Sequence, residues 1–162
     1  MDLTKPIYKG HVVMPNPNSS GTGFLDVASW LQLFGEEGGW QFMDKLHKNI
    51  AWYTHSGSKP CRQAAAGETT IGVSFMFRGA KLMAKGAPIV IVLPSEGVGW
   101  EMEASMIIKG TKKLDAAKKL MDFSISKKAN IMYNAAYAVV AYPGVAKPVK
   151  HMPEGLLEAM IT

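Results

Sequence analysis

Short apolar runs alternate with amphipathic segments along residues 1–94 of the sequence. The apolar runs predict strands at residues 12–14, 50–53, 71–76 and 89–93. The segments between them have helical spacing and predict helices at residues 22–34, 40–48, 60–66 and 78–85, with a break at residues 36–39. Because strands that alternate with helices form βαβ units, the pattern predicts an α/β fold with a mainly parallel sheet flanked by helices.

The pattern changes after Pro94. Residues 95–100 are rich in turn-forming residues, and residues 103–109 form an apolar segment that fits either a helix or a strand. The spacing then predicts helices at residues 114–123 and 130–137 and a short strand at residues 138–141. No further βαβ unit is visible in this part of the sequence. We therefore expect the chain to divide into residues 1–94 and residues 95–162.

The loop between the first predicted strand and the first predicted helix consists of small hydroxyl residues and glycines. It contains Ser19, Ser20, Gly21 and Thr22. The first amide groups of a helix have no partner within the helix, and the helix dipole makes this end partly positive. The loop therefore predicts an anion-binding site at the helix start. An ordinary N-cap is the alternative interpretation, because serine and threonine cap many helices.

A second candidate loop precedes the helix predicted at residues 60–66. Ser56, Ser58 and Lys59 place hydroxyl groups and a positive charge beside this helix start. Ligands of parallel α/β sheets bind beyond the carboxyl ends of the strands, so both loops are expected at the same edge of the sheet. A plain capped turn explains the residues of this second loop equally well.

Two charged residues outside these loops are further candidates for ligand contacts. Arg78 follows a strand that is predicted to be buried, where a ligand or an ion pair explains a charge better than solvent does. Glu96 lies in the turn after Pro94, and its carboxylate is suited to accept a hydrogen bond from a ligand ammonium group. An ordinary surface acid is the alternative interpretation of Glu96.

The composition is that of a globular protein and narrows the classes of partner. Of the 162 residues, 48% are hydrophobic and 19% are charged, and the net charge is +5. This charge favours a small anion or an acidic partner over nucleic acid, because the lysines are not interleaved with aromatic residues. The single cysteine, Cys61, excludes an internal disulfide and a cysteine-based zinc site. The histidines are scattered, and we predict no cofactor and no metal.

The sequence favours binding over catalysis, because no nucleophile stands beside a base in a recognised motif. A small α/β phosphohydrolase is an alternative, for which the best candidate, Asp26, falls inside a predicted helix. A regulatory or interaction domain with a purely structural loop is another alternative. No apolar run is long enough to cross a bilayer, and residues 1–6 lack the apolar core of a signal peptide.

Several longer segments resemble a known family of binding proteins. They are residues 8–17 with 19–23, residues 71–80, residues 94–104 and residues 137–145. Together they are similar to the second lobe of type 2 periplasmic solute-binding proteins of ABC importers. The branch concerned contains ferric-iron, sugar-phosphate and 2-aminoethylphosphonate binders, and the last three segments resemble the aminophosphonate subgroup.

The resemblance implies that the ligand is a small phosphonate or phosphate anion, with 2-aminoethylphosphonate as the first candidate. By position, the phosphonate group would be held by Ser19, Ser20, Gly21 and Thr22, with residues 54–59 as a second contact. Iron-binding members have two adjacent tyrosines where this chain has the sequence Phe-Met-Phe at residues 75–77. Since phenolate oxygens suit ferric iron and these side chains do not replace them, iron is disfavoured. Ferric iron and sugar phosphates or phosphoglycerate stay as alternatives within the family.

The resemblance also implies a lobe organisation. Residues 1–94 correspond to the ligand-binding second lobe, and residues 95–162 to the return crossover and helical segments that would complete the first lobe. For a full-length parent, it implies a periplasmic location and ABC permease subunits as partners. A homodimer or swapped dimer, in which the segment after Glu96 pairs with another copy, fits the same organisation.

Overall fold

The computed structural model describes residues 1–161 and contains two compact units. The first unit comprises Met1–Glu101 together with residues 151–161, and the second unit comprises Met102–Lys150. The helices are α1 (Gly21–His47), α2 (Lys59–Ala65), α3 (Met76–Met83), α4 (Leu114–Ser124), α5 (Lys127–Ala135) and α6 (Leu156–Ala159). Two short 3-10 helices, Asp2–Thr4 and Pro6–Tyr8, precede the first strand.

The first unit is built on a parallel sheet. Its strands are β1 (Val12–Pro15), β2 (Ile50–Thr54) and β3 (Ile71–Gly72), in the order β2-β1-β3. Both neighbours pair with β1 in parallel, and β1 is buried along its whole length. The α/β fold with a parallel sheet, predicted from the alternation of strands and helices, is confirmed.

Helix α1 consists of two segments that meet at Gly35. The backbone of Gly35 has φ 73° and ψ 172°, which interrupts the helical geometry one residue before the break predicted from the sequence. A Cβ on Gly39 would lie 2.9 Å from the Leu31 Cδ2 atom, so the second segment approaches the first closely. Aromatic contacts hold the segments together, since the ring of Phe42 lies 5.2 Å from Trp30 and 5.3 Å from Phe34.

The hydrophobic core lies between β1 and α1. Val12 and Met14 of the strand pack with Phe42 and Leu46 of the helix. Burial of these side chains is worth roughly 1.5–3 kcal/mol for each large residue. The core therefore fixes α1 against the sheet and positions the loop that joins them.

Two predicted strands are wrong, and a third is shorter than predicted. Residues 89–93 and 138–141 form no strand, and the strand predicted at residues 71–76 ends at Gly72, with α3 beginning at Met76. Exposure to solvent alternates along residues 89–93. Val90 and Val92 are largely exposed, whereas Ile91 lies against Gly79. A strand also needs a hydrogen-bonded neighbour, which the apolar pattern of a single segment does not reveal.

The end of the chain returns to the first unit. The backbone of Val98 hydrogen-bonds to Ala159 and Ile161, and the Trp100 indole donates to the Ile161 carbonyl at 2.7 Å. Residues 95–101 and 151–161 thus lie together in the first unit, whereas the predicted division placed both with residues 102–150. Helix α6 was not predicted from the sequence.

The second unit consists mainly of α4 and α5. Helix α5 begins three residues earlier than predicted, because the Ser126 Oγ accepts a hydrogen bond from the Ala129 amide at 3.2 Å and caps the helix there. Few of its side chains are buried, and residues 102–110 are exposed throughout. No helix within residues 1–161 is long and apolar enough to span a bilayer.

Candidate functional site

The loop between β1 and α1 is shaped by Asn16. The Asn16 Oδ1 accepts a hydrogen bond from the Asn18 amide at 2.8 Å, and its carbonyl accepts from the amides of Ser19 and Ser20 at 3.1 and 3.0 Å. Its own amide donates to the Thr54 carbonyl at 2.8 Å, which ties the loop to the end of β2. These bonds direct the chain from the sheet edge into the start of α1.

Ser20 is the N-cap of α1. Its Oγ accepts a hydrogen bond from the Gly23 amide at 3.4 Å, and its carbonyl accepts from the Phe24 amide at 2.9 Å. Within residues 1–161 no hydrogen-bond partner is found for the amides of Gly21 and Thr22. Ser20 therefore caps the helix in the usual way. The amides of Gly21 and Thr22 stay available as hydrogen-bond donors at the positive end of the helix dipole.

Glycine at position 23 brings α1 close to the loop before it. A Cβ there would lie 2.6 Å from the Pro15 carbonyl oxygen and 2.8 Å from the Asn16 carbonyl carbon. No larger residue fits without moving the loop. Gly23 therefore has a packing role at the start of α1.

The two predicted loops lie in contact through Gly57. A Cβ on Gly57 would overlap the Thr22 hydroxyl and would lie 3.2 Å from the Ser20 Oγ. The Gly57 carbonyl accepts a hydrogen bond from the Ser74 hydroxyl at 2.7 Å, and His55 Nδ1 lies 3.1 Å from the Ser19 Oγ. The loops therefore form one continuous surface, which we call the hydroxyl cradle (residues 19–22 with residues 55–58).

The second loop has its own hydrogen-bond network. The Thr54 hydroxyl donates to the Ser56 carbonyl at 2.9 Å, and the Ser56 and Ser58 hydroxyls are 3.2 Å apart. Arg62 Nη1 donates to the Ser58 Oγ at 3.1 Å, which brings a permanent positive charge to this loop. Lys59 is exposed beside it.

Arg78 and Glu96 have partners other than the cradle. The Arg78 guanidinium lies 4.7 Å from the centre of the Phe77 ring, and Arg78 is exposed on α3. Glu96 forms an ion pair with the amino group of Met1, and this hydrogen bond lowers the pKa of the carboxyl. No hydrogen bond joins either side chain to Ser19, Ser20 or Thr22 within residues 1–161. Their role in ligand binding stays a prediction.

Asp26 lies one turn beyond Thr22 on α1. Its Oδ2 atom is buried, and no hydrogen-bond partner for it is found among the residues that the structure describes. Burial raises the pKa of Asp26 from its ordinary value of 3.8 to about 7. From the sequence Asp26 was predicted only to lie inside a helix, and its lack of a hydrogen-bond partner is a property of the folded chain.

A separate cleft of about 450 Å³ borders the loop at Pro17 and Asn18. Its walls are mainly aromatic and apolar side chains of α1 and β2, and His47 Nδ1 lies 2.7 Å from the Tyr53 hydroxyl there. None of the site residues predicted from the sequence lines this cleft. Within residues 1–161 there is no cluster of side chains suited to hold a metal ion.

Comparison with known proteins identifies a family. A family described as bacterial extracellular solute-binding protein matches residues 1–155 of the chain. A protein of Haemophilus influenzae, described as uncharacterized, is 42% identical over 126 residues, which are 78% of this chain and 36% of that protein.

Two solved structures are similar over almost the whole chain. The periplasmic binding protein AfuA from Actinobacillus pleuropneumoniae, determined with exogenous fructose-6-phosphate bound, is 35% identical with a TM-score of 0.81. The periplasmic binding protein P5PA is 28% identical with a TM-score of 0.81. The alignments cover 97% and 99% of this chain but only 52% and 51% of those chains. The chain therefore spans about half the length of these structures and has the fold of one binding-protein lobe.

Proposed function

Because the chain belongs to the bacterial extracellular solute-binding protein family, we propose that it is the ligand-binding lobe of an ABC importer receptor for a small organophosphorus anion. The family consists of binding proteins, in agreement with the interpretation of the sequence as a binding protein and not an enzyme. The open amides of Gly21 and Thr22, at the edge formed by the two loops, carry this proposal.

The proposed contacts follow from the chemistry of the hydroxyl cradle. Phosphate or phosphonate oxygens accept hydrogen bonds from the two open amides and from the hydroxyls of Ser19 and Ser20. Arg62 and Lys59 add positive charge next to the second loop. Each charge-assisted hydrogen bond contributes about 1.5–3 kcal/mol.

We favour a sugar phosphate as the ligand and keep 2-aminoethylphosphonate as the second candidate. An aminophosphonate needs a carboxylate for its ammonium group, and the Oδ2 atom of Asp26, the acidic residue one turn beyond the cradle, is buried. A sugar phosphate has no such requirement, and AfuA, at 35% identity, was determined with fructose-6-phosphate bound. The resemblance of residues 71–80 to the aminophosphonate subgroup supports the second candidate.

We further propose that the second unit contributes to another lobe of a full-length, periplasmic parent that works with permease subunits. Leu120 and Ile125 are 67% and 71% exposed, and Met106 is 82% exposed. A set of exposed apolar side chains of this kind marks a surface that packs against other protein. Contacts from an opposing lobe strengthen binding when the lobes close, so the chain alone is expected to bind weakly.

Calorimetric titration tests the proposed ligand class. The chain is titrated with fructose-6-phosphate, 2-aminoethylphosphonate, inorganic phosphate and ferric citrate. We expect the organophosphorus ligands to bind and the Ser20→Ala/Thr22→Val double variant to weaken them about tenfold or more. Ser105→Ala, a hydroxyl loss on an exposed segment, is the matched control and should bind normally.

Two outcomes would contradict the proposal. One is binding of ferric citrate alone, which would place the chain among the iron binders. The other is that the double variant binds the organophosphorus ligands as strongly as Ser105→Ala does. This result would mean that the ligand binds away from the start of α1.

A further inference from the structure

Asp26 has an unusual position for an acidic residue. It lies four residues after Thr22 on α1, and its Oδ2 atom is buried without a hydrogen-bond partner among the described residues. Side chains on a helix lean toward its N-terminus, which is the direction from Asp26 to the turn that contains the open amides. At 1.5 Å per residue, the carboxyl-bearing residue is only about 6 Å along the helix axis from Thr22.

No positive charge compensates this carboxyl. Burial is the one cause that raises the pKa of Asp26, which means that no ion pair opposes it. β1 carries no charged side chain. Gly97 and Gly99 pack against α1 at Leu33 and Ser29, and neither Glu96 nor Glu101 of that segment contributes to the shift. His55, in the second loop, lies with its Nδ1 3.1 Å from the Ser19 Oγ and does not contribute either.

We propose that Asp26 couples anion binding at the start of α1 to proton uptake, so that the cradle binds its anion tightly when Asp26 is protonated and weakly when it is ionised. This inference rests on the proposed function of the hydroxyl cradle. An ionised carboxylate one turn away opposes an incoming anion through a poorly screened interior, whereas the neutral acid does not. By reciprocity, the bound anion favours the protonated form of Asp26 to the same extent.

The test uses inorganic sulfate, because its charge is constant between pH 5.5 and 8.5. We expect the affinity of the wild-type chain for sulfate to fall about tenfold over this range. Asp26→Asn should keep the higher affinity throughout. Glu36→Gln removes the same charge from an exposed position beyond Gly35 and should behave as the wild type.

A second measurement is independent of any variant. Sulfate binding to the wild-type chain near pH 7.5, measured by calorimetry in two buffers of different ionisation enthalpy, should take up a fraction of a proton. This measurement keeps the proposal testable if Asp26→Asn does not fold.

The outcomes separate this inference from the proposed function. Sulfate affinity with the same pH dependence in the wild type and Asp26→Asn, or binding without proton uptake, would overturn the inference and leave the anion site standing. Failure of the wild-type chain to bind sulfate at any pH would also overturn the inference. In that case, fructose-6-phosphate binding that depends on Ser20 would still support the proposed function. Failure of every anion to bind would reject both.

Discussion

The helix starts of α1 and α5 have the same hydrogen bonds. Each begins after a serine, Ser20 or Ser126, whose Oγ accepts from the amide three residues further on, at 3.4 Å in α1 and 3.2 Å in α5. The cap carbonyl accepts from the amide four residues further on, at 2.9 and 3.0 Å. In the described part of the chain, the first two amides of both helices lack partners.

Their surroundings differ. The start of α1 is enclosed by Gly57 and the buried Thr22, and Asp26 lies one turn further on. The start of α5 carries Lys127 and Lys128, both exposed, and the position that matches Asp26 is the exposed Met132. A capped helix start with open amides is thus common to both, and a second loop that partly encloses the helix start distinguishes α1. The following substitutions test whether this difference matters.

The largest expected effect is on stability, from Asp26→Asn. Because the folded-state pKa of Asp26 is about 7 and its ordinary value is 3.8, the wild type loses stability as pH rises from about 4 to above 7. When Asp26 is fully ionised, the loss of unfolding free energy is about 4 kcal/mol. Urea denaturation should therefore show Asp26→Asn to be more stable than the wild type at pH 8 and similar at pH 4. Equal pH dependence in both proteins would mean that Asp26 is solvated in the folded state.

Gly57→Ala should have the next largest effect. The added methyl group would overlap the Thr22 hydroxyl, so the two loops must separate. We expect a destabilisation of about 1–3 kcal/mol and a loss of fructose-6-phosphate binding. Gly38→Ala, within α1 and with only the Phe34 Cβ at 3.3 Å, is the control and should bind normally. Normal binding by Gly57→Ala would show that the second loop is not part of the site.

The paired cap variants compare the two helices directly. Ser20→Ala and Ser126→Ala remove equivalent caps and should each cost about 1 kcal/mol of unfolding free energy. Calorimetry should show weaker anion binding only for Ser20→Ala. If Ser126→Ala weakened binding to the same degree, the loss of affinity would result from general destabilisation of the protein and not from a change in the loop before α1.

The sequence predicted the parts of the fold that depend on local pattern. The alternation of strands and helices, the break near Gly35 and the hydroxyl loop before α1 all follow from residue types at short spacing. The strand at residues 89–93 did not form, because a strand depends on a neighbour that its own residues do not specify. The contact of Gly57 with Thr22 and the buried Asp26 oxygen depend on how distant segments pack, so composition and spacing did not reveal them.

The smallest expected effect is at the start of α5. Lys127 places a positive charge beside the positive end of the helix dipole, and Lys127→Glu replaces it with a favourable negative charge. We expect the unfolding free energy to rise by about 0.5 kcal/mol at low ionic strength and the gain to disappear in 1 M salt. Sulfate or fructose-6-phosphate binding should stay unchanged, because we expect an anion to bind only at the helix start that a second loop encloses. A loss of binding in Lys127→Glu would instead place an anion at α5, and the distinction between the two helix starts would fail.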